Sequence, residues 1–556
     1  MSSETEATSA VAAMGVPNKT PEGSRESSSV GGKEDAERTQ YVVYPRRWAV
    51  LVTVALLNIS NAALWINIAP VAYTVASYYK RQLWEINWFS LVFLFVSIPF
   101  CFVSTFSVNR LGLRAAIHIG AGLNCIGGLL RAFGSSGAIG NLDVEFAISL
   151  TGQTIAGMAQ SFLLFIPTKV SQLWFPEGTR AVATTIISLS NPLGIVVAQV
   201  ATPLIVSAEG DFPTLNYVFG ALAVLTEVIT IVCVTSSKPA TPPSQSAARG
   251  EVRRASYLQQ LKTTFTCLPY LHLLASLGCG VALFSSLATV TQQLLCPLGY
   301  SDLFGGIANA VMILAGFVGS AITGVTADRT KAFTPITKLC YGLATLFAIV
   351  MLEMFMVPGQ PELVATFTGL FGFFGVGAYP IGLELAVEAT YPVEESISTA
   401  FIFMSGQFQG VLIIALVTLL GREQKPQYED IENCSKTGNS DIEPKDYTVS
   451  LMVIMTYLAV IVSIMILFFD TPYKRLEAER LTPDPTAATN NTASSSSSSH
   501  GSVSPRSSAS SFHSLTESGR ALRGGGGGGG GGRREEERVE DQGDCGGQDE
   551  VERSRL

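Results

Sequence analysis

Apolar runs of about 20 residues, the length that crosses a hydrocarbon core of roughly 30 Å, recur along this chain with no soluble-domain-sized stretch between them. The pattern predicts an all-α membrane protein of about twelve spans, starting near Trp48, Trp88, Ala115, Phe146, Ala181, Pro213, Pro269, Leu303, Phe333, Leu363, Ser396 and Thr448. A Pro-rich and basic segment, SSKPATPPSQSAARGEVRR from Ser236, divides them six and six. The expected organisation is a tail over 1–47, a six-helix bundle over 48–235, a linker over 236–268, a second six-helix bundle over 269–470, and a tail over 471–556. Both tails are rich in Ser, Gly and Glu and cannot bury enough apolar area to offset chain entropy, so they are read as disordered. The polar tail ahead of the first span marks that helix as a retained anchor rather than a cleaved signal.

Polar residues inside these spans interrupt the pattern. Asn58, Asn61 and Trp65 stand at i, i+3 and i+7, within roughly 60° of one another on a helix, while Asn67 points elsewhere and can bind a neighbouring helix. Amides facing lipid are costly, so this face is expected to line a cavity or to join helices by hydrogen bonds. Span four repeats the pattern with Gln153 and Gln160, span seven ends in Thr291, Gln292 and Gln293, and span eleven carries Gln407 and Gln409. Carboxylates fall within apolar spans at Glu227, Glu353, Glu384 and Glu388. The last two are i, i+4 at one end of span ten, a position expected to pair with basic residues of the inner loops and hold that side shut.

Composition agrees with a membrane protein: 47% of the 556 residues are hydrophobic and 14% charged. Lys and Arg cluster before span one (Arg46, Arg47), between spans two and three (Arg110, Arg114), in the middle segment, and after spans eight and twelve. That bias predicts cytoplasmic termini in a multi-pass protein, against the exception of Lys80 and Arg81. Most of the net charge of -8 belongs to tails and loops. Of the nine cysteines, most fit buried hydrophobes, and Cys296 with Cys434 is the one pair that could meet on an oxidising side. His118, His272, His500 and His513 lack metal-ligand spacing, and no phosphate-cradling loop or nucleophile elbow appears. No enzyme, cofactor, metal or nucleic-acid partner is expected.

The loops after the second span of each half echo one another: SVNRLGLRAA from Ser107 and GVTADRTKAF from Gly324. Repeated loops imply repeated bundles with a site at their interface near midplane. These loops resemble the two copies of the major facilitator loop motif, which assigns Arg114, Asp328 and Arg329 to the inner gate. With SNAALWINIAPVA, EINWFSLVF, GLNCIGGLLRA, WFPEGTRA, NPLG and GLELAVEATYP, the chain from about Tyr44 to about Leu476 resembles the feline leukaemia virus subgroup C receptor family, solute carrier family 49, on its member-3 branch. The resemblance implies the major facilitator fold and alternating-access transport. First and fourth helices of each half face the cavity in that superfamily, which places Trp65, Gln160, Gln293 and Tyr379 to converge. Choline- and ethanolamine-transporting relatives use an aromatic box whose tryptophan falls here on Trp65 and whose glutamines fall on Gln160 and Gln407. The box tyrosine has no counterpart, since Ser285 stands there with Phe284 beside it. Losing one wall of a cation box removes roughly 0.5 to 2 kcal/mol, about two- to thirty-fold in affinity.

The resulting expectation is a facilitative carrier of a choline-like amine. The alternatives are export of haem or another porphyrin, and a non-transporting receptor or scaffold. The partners expected are a small-molecule substrate, the lipid bilayer and a PDZ-domain protein at the C-terminal Ser554, Arg555, Leu556. The plasma membrane is the expected location, with the endolysosomal membrane as alternative. Asn433, in NCS, is a candidate glycosylation site, and YKRL from Tyr473 matches a tyrosine-based sorting signal.

Overall fold

The computed structural model describes residues 42–243, 257–426, 431, 444–475 and 477. Asn433, Cys434 and Ser554 to Leu556 lie outside the described residues. The expected spans become helices whose first residues fall within four positions of those read from the sequence. In chain order they are α1 (Arg46–Ile66) with α2 (Ala72–Tyr79), α3 (Leu83–Ile86) with α4 (Trp88–Leu111), α5 (Leu113–Gly134), α6 (Leu142–Leu164), the short α7 (Pro167–Trp174), α8 (Glu177–Ile205) and α9 (Phe212–Cys233). After α10 (Tyr257–Thr266) come α11 (Leu268–Leu295), α12 (Asp302–Thr330), α13 (Phe333–Met354), α14 (Pro361–Thr390), α15 (Glu395–Leu420) and α16 (Thr448–Phe468). A two-residue antiparallel pair, β1 (Arg422–Glu423) and β2 (Lys445–Asp446), precedes α16.

Eleven described spans are long and apolar enough to cross a membrane. The remaining crossing is α6, whose 23 residues match the others in length but carry Gly, Thr and Gln along the run. It packs between α4 and α5, where small residues let backbones approach and amides find partners.

Helix pairings repeat between the halves. The first half is held by α1 on α8, α5 on α6, α4 on α6 and α5 on α9; the second by α11 on α15, α13 on α14, α12 on α14 and α13 on α16. Each second-half pair is the first-half pair moved on by six spans. The tightest approaches need glycine: a Cβ on Gly319 would lie 1.9 Å from the Phe373 carbonyl, and one on Gly372 would lie 2.0 Å from that of Met312. The two echoed loops also turn alike, through a positive φ at Gly112 (86°) and at Lys331 (54°).

The first and seventh spans are the most enclosed, with 78% and 72% of their apolar windows buried against 33% to 50% in the other nine. They form the middle of the molecule, and the principal apolar cluster runs across the halves from Trp65 and Phe93 to Ala282 and Leu287. The halves also meet along α4 with α15 and α8 with α12.

The first span is not one continuous helix. α1 stops at Ile66, residues Ala69–Val71 form a 3-10 turn, and α2 resumes at Ala72. Pro70 is the cause: it has no N–H to donate, and its ring clashes with the carbonyl four residues earlier.

Candidate functional site

Below, the end of the bundle where α1 begins and α16 finishes is the terminal side, and the opposite end is the far side. Three candidate side chains lie beside the first half of α4. Gln153 on α6 donates through Nε2 to the carbonyls of Trp65 (3.2 Å), Leu64 (3.2 Å) and Phe89 (2.8 Å), which sets Trp65 at the level of Phe89. One turn on along α6 from Gln153, Gly157 packs on Phe93, and Gln160 follows three residues later. On α15, Gly410 packs against Leu94, with Gln407 three residues before it. α6 runs towards the terminal side and α15 away from it, so both glutamines sit about one turn to the terminal side of Phe93 and Leu94. Helical side chains lean towards their own N-terminus, which carries the Trp65 indole in the same direction.

All three side chains are buried, at 3% exposure for Trp65 and Gln160 and 1% for Gln407. The Trp65 Nε1, the Gln160 Oε1 and the Gln407 Oε1 have no hydrogen-bond partner among the described residues. One donor and two acceptors are therefore left unmet beside the seam between the halves; Asn61, Asn67 and Asn216 also carry one unpartnered atom each, but their other amide atom is bonded. Ser285, buried on α11, lies one turn beyond Ala282, the residue that Gly410 faces, and Phe284 is partly buried on the principal cluster.

Other candidates are engaged elsewhere. Asn61 donates from Nδ2 to Asn124 Oδ1 (3.0 Å) and to the Ala156 carbonyl (2.9 Å), so its amide joins α1 to α5 and α6 instead of facing a cavity. Asn58 returns to the Val54 carbonyl of its own helix (3.0 Å). Gln293 is paired reciprocally with Asn87, donating to Asn87 Oδ1 (2.6 Å) and accepting from Asn87 Nδ2 (3.3 Å) near the far-side end of α11. Tyr379 packs with the terminal-side cluster of Tyr270, Leu277 and Tyr341, whereas Trp65 belongs to the principal cluster. Helix face put Asn61 with Trp65, and the resemblance to the superfamily put Gln293 and Tyr379 there; the hydrogen bonds of Asn61 and Gln293 and the terminal-side packing of Tyr379 set them apart from it.

A feature missed in the sequence holds the broken first span. Arg131 on α5, 1% exposed, donates from Nη1 to the Leu64 carbonyl (2.7 Å) and Gln153 Oε1 (2.7 Å), and from Nη2 to Asn67 Oδ1 (2.9 Å) and Asn216 Oδ1 (2.8 Å). The Leu64 and Trp65 carbonyls at the broken end of α1 are thus met by a guanidinium and a glutamine amide. An arginine inside an apolar span was the available signal.

At the far side the halves are tied. Gln199 on α8 donates to the Ala288 carbonyl of α11 (2.7 Å), Asn87 reaches Thr418 as well as Gln293, and Gly306 on α12 abuts the Gln199 carbonyl. On the terminal side, rings touch across the halves at Phe102–Phe401 and Phe165–Phe403. Glu384 and Glu388 do pair with a basic residue, but it is Arg475, on the segment after α16 in their own half: its Nη2 bonds Glu384, and its backbone N donates to Glu388 Oε2 (2.9 Å). The expected basic partner is thus present, on the segment after the last span in the same half. Asp328 lies 3.8 Å from Lys331 within its own loop, Arg329 is exposed, and the Arg114 backbone N donates to Ser237 Oγ (3.1 Å). Glu227 is half-buried on α9 and Glu353 is exposed at the end of α13.

Residues 54–415 match the model of the Major Facilitator Superfamily. Solute carrier family 49 member A3 of Xenopus tropicalis is 35% identical over 451 residues, covering 80% of this chain and 91% of that protein. The choline/ethanolamine transporter flvcr2a of Danio rerio is 29% identical over 402 residues, covering 70% of this chain and 82% of that one. Among solved structures, a D-xylose-proton symporter superposes with a TM-score of 0.58 at 11% identity, covering 77% of this chain and 98% of that chain, which bears on the fold alone. With its repeated helix pairings and cross-half seam, the chain belongs to the major facilitator superfamily of membrane transporters and, within it, to solute carrier family 49, alongside the member A3 proteins.

Proposed function

We propose that this transporter moves a small organic amine of the choline or ethanolamine type, down its gradient, by alternating access at Trp65, Gln160 and Gln407. The observation that carries the reading is the set of three buried, unpartnered polar atoms on an indole and two amides beside the seam between the halves. An indole face attracts an ammonium group, and unpaired amide oxygens accept from an amine or hydroxyl that protein groups leave unmet. Relatives bearing the name choline/ethanolamine transporter, one of them human at 27% identity, support the substrate class. Ser285 leaves one wall of the box open, which favours a weaker or differently shaped amine over tight choline binding.

The basic residues beside the spans support cytoplasmic termini, which makes the far side, closed in this conformation, the outer one; the plasma membrane as its location and a PDZ-domain partner for Ser554 to Leu556 remain part of the proposal. Porphyrin export finds less support. His272 begins the terminal-side end of α11, away from Trp65, and His118 Nε2 lies 2.9 Å from the Val234 carbonyl.

Uptake of labelled choline and ethanolamine, measured beside Trp65→Ala at matched surface level, tests the proposal. Saturable uptake is expected, with its KM raised by about tenfold or more in the variant. Uptake no greater than that of empty-vector cells for every amine tried would overturn the substrate class.

A further inference from the structure

We propose that Arg131 is a positioning residue for transport: it holds the break in the first span and thereby fixes Trp65 in the substrate path. The inference rests on the reading that Trp65 touches substrate. Continuous helices orient their side chains by intrahelical bonds, but that ladder ends where the Asn67 N–H meets the Ala63 carbonyl, and Pro70 has no N–H with which to continue it. The backbone on either side of the break is held instead from other helices. Arg131 grips Leu64 through its carbonyl and Asn67 through its side chain, bracketing Trp65 and Ile66 from both directions. It also bonds Gln153, whose amide N–H groups reach the Leu64, Trp65 and Phe89 carbonyls. Asn216 of α9 closes the set.

All four acceptors of the guanidinium are neutral oxygens: one carbonyl and three side-chain amides. A fixed fork that reaches four separate oxygens is what arginine offers and lysine does not. A full charge placed at 1% exposure inside a membrane span is expensive to keep, and simple helix joining is done elsewhere in this half by neutral amides such as Asn61 with Asn124. The charge thus serves a place where the ladder fails, beside the indole.

The test measures KM and Vmax for choline uptake in Arg131→Gln, Arg131→Lys, Trp65→Ala and the Arg131→Gln/Trp65→Ala pair, each normalised to surface level. Arg131→Gln is expected to raise KM about tenfold at near-parental Vmax per surface molecule, with Arg131→Lys between the two. The paired variant should be no worse than Trp65→Ala alone, because the arginine acts through the indole. Gln153→Glu is the second variant: it keeps an acceptor for Arg131, removes the N–H donors to the Trp65 region and should raise KM in the same way. An unchanged KM in both, or effects that multiply with Trp65→Ala, would overturn the proposal.

A substrate-independent arm separates this from the amine reading. Trp65→Cys is labelled with a thiol reagent in Arg131 and Arg131→Gln backgrounds, with the unmodified chain as blank. A several-fold change in rate is expected even if no amine is carried. Equal rates overturn the positioning role, whatever the substrate.

Discussion

Gly306 meets the backbone carbonyl of Gln199 so closely that a Cβ built on it would lie 2.0 Å from that oxygen. The two residues belong to different halves, on α12 and α8, and they touch at the far side. Only a glycine allows the two backbones to close there, and the same Gln199 side chain reaches on to the Ala288 carbonyl of α11. Far-side closure thus depends on an absent side chain on one helix and an amide on the other.

Gly306→Val should therefore exclude the closed far side, because no side-chain rotation relieves a clash with backbone. A cysteine placed at Ala288 should become reactive to a membrane-impermeant thiol reagent in the Gly306→Val background. Transport should fall more than about tenfold with surface level retained, since a carrier that cannot close one end cannot complete its cycle. Unchanged reactivity at position 288 would remove the gate assignment.

Substrate contacts and fold contacts should separate in the amides. Gln160→Ala and Gln407→Ala remove carbonyl oxygens that no protein group needs, so thermal stability in detergent should change by less than about 1 kcal/mol while KM rises. Asn61→Ala, in contrast, deprives Asn124 and the Ala156 carbonyl of their donor and should lower stability by about 1 to 3 kcal/mol. Thermal melts alongside uptake kinetics distinguish the classes; destabilisation of all three alike would mean that the glutamines are structural.

Asn87 and Gln293 form one reciprocal amide pair across the halves. Either alanine substitution should weaken far-side closure by about 1 to 2 kcal/mol, and the double variant should add little to the single ones. Accessibility of the position-288 cysteine, measured through the full double-mutant cycle, checks this. Strict additivity would show that the two amides act independently.

Glu388, fully buried on α14, is bonded by the Arg475 backbone just beyond the last span. Glu388→Gln should loosen the clamp of α16 on α14, seen as faster proteolysis after Phe468 and a lower melting temperature. Far-side accessibility should stay at the parental level, because the clamp lies within one half. A shift in far-side labelling would return Glu388 to a gating role.

Much of this was legible in the chain. The span positions and the duplicated loops follow from apolar run length and short motifs, which are local properties, while the choice of Trp65, Gln160 and Gln407 among the polar residues came from the family resemblance. Periodicity gives the angle of a side chain around its helix but not the depth at which another helix meets it. That is why Asn61, on the Trp65 face, turned out to join α5 and α6, and why Gln293 serves the far side.

The amino-acid sequence by itself determined how many times the chain can cross a membrane, where it turns and which amides and carboxylates sit within apolar helices, because each depends on neighbours a few residues away. Tertiary structure alone decided which of those polar atoms found partners. Arg131 and Pro70 are 61 positions apart in the chain, and nothing local relates a proline that breaks the first span to an arginine in the third that donates to the Leu64 carbonyl at the broken end. Buried polar groups in a membrane must be met by whatever helix lies alongside, so their roles are assigned by packing.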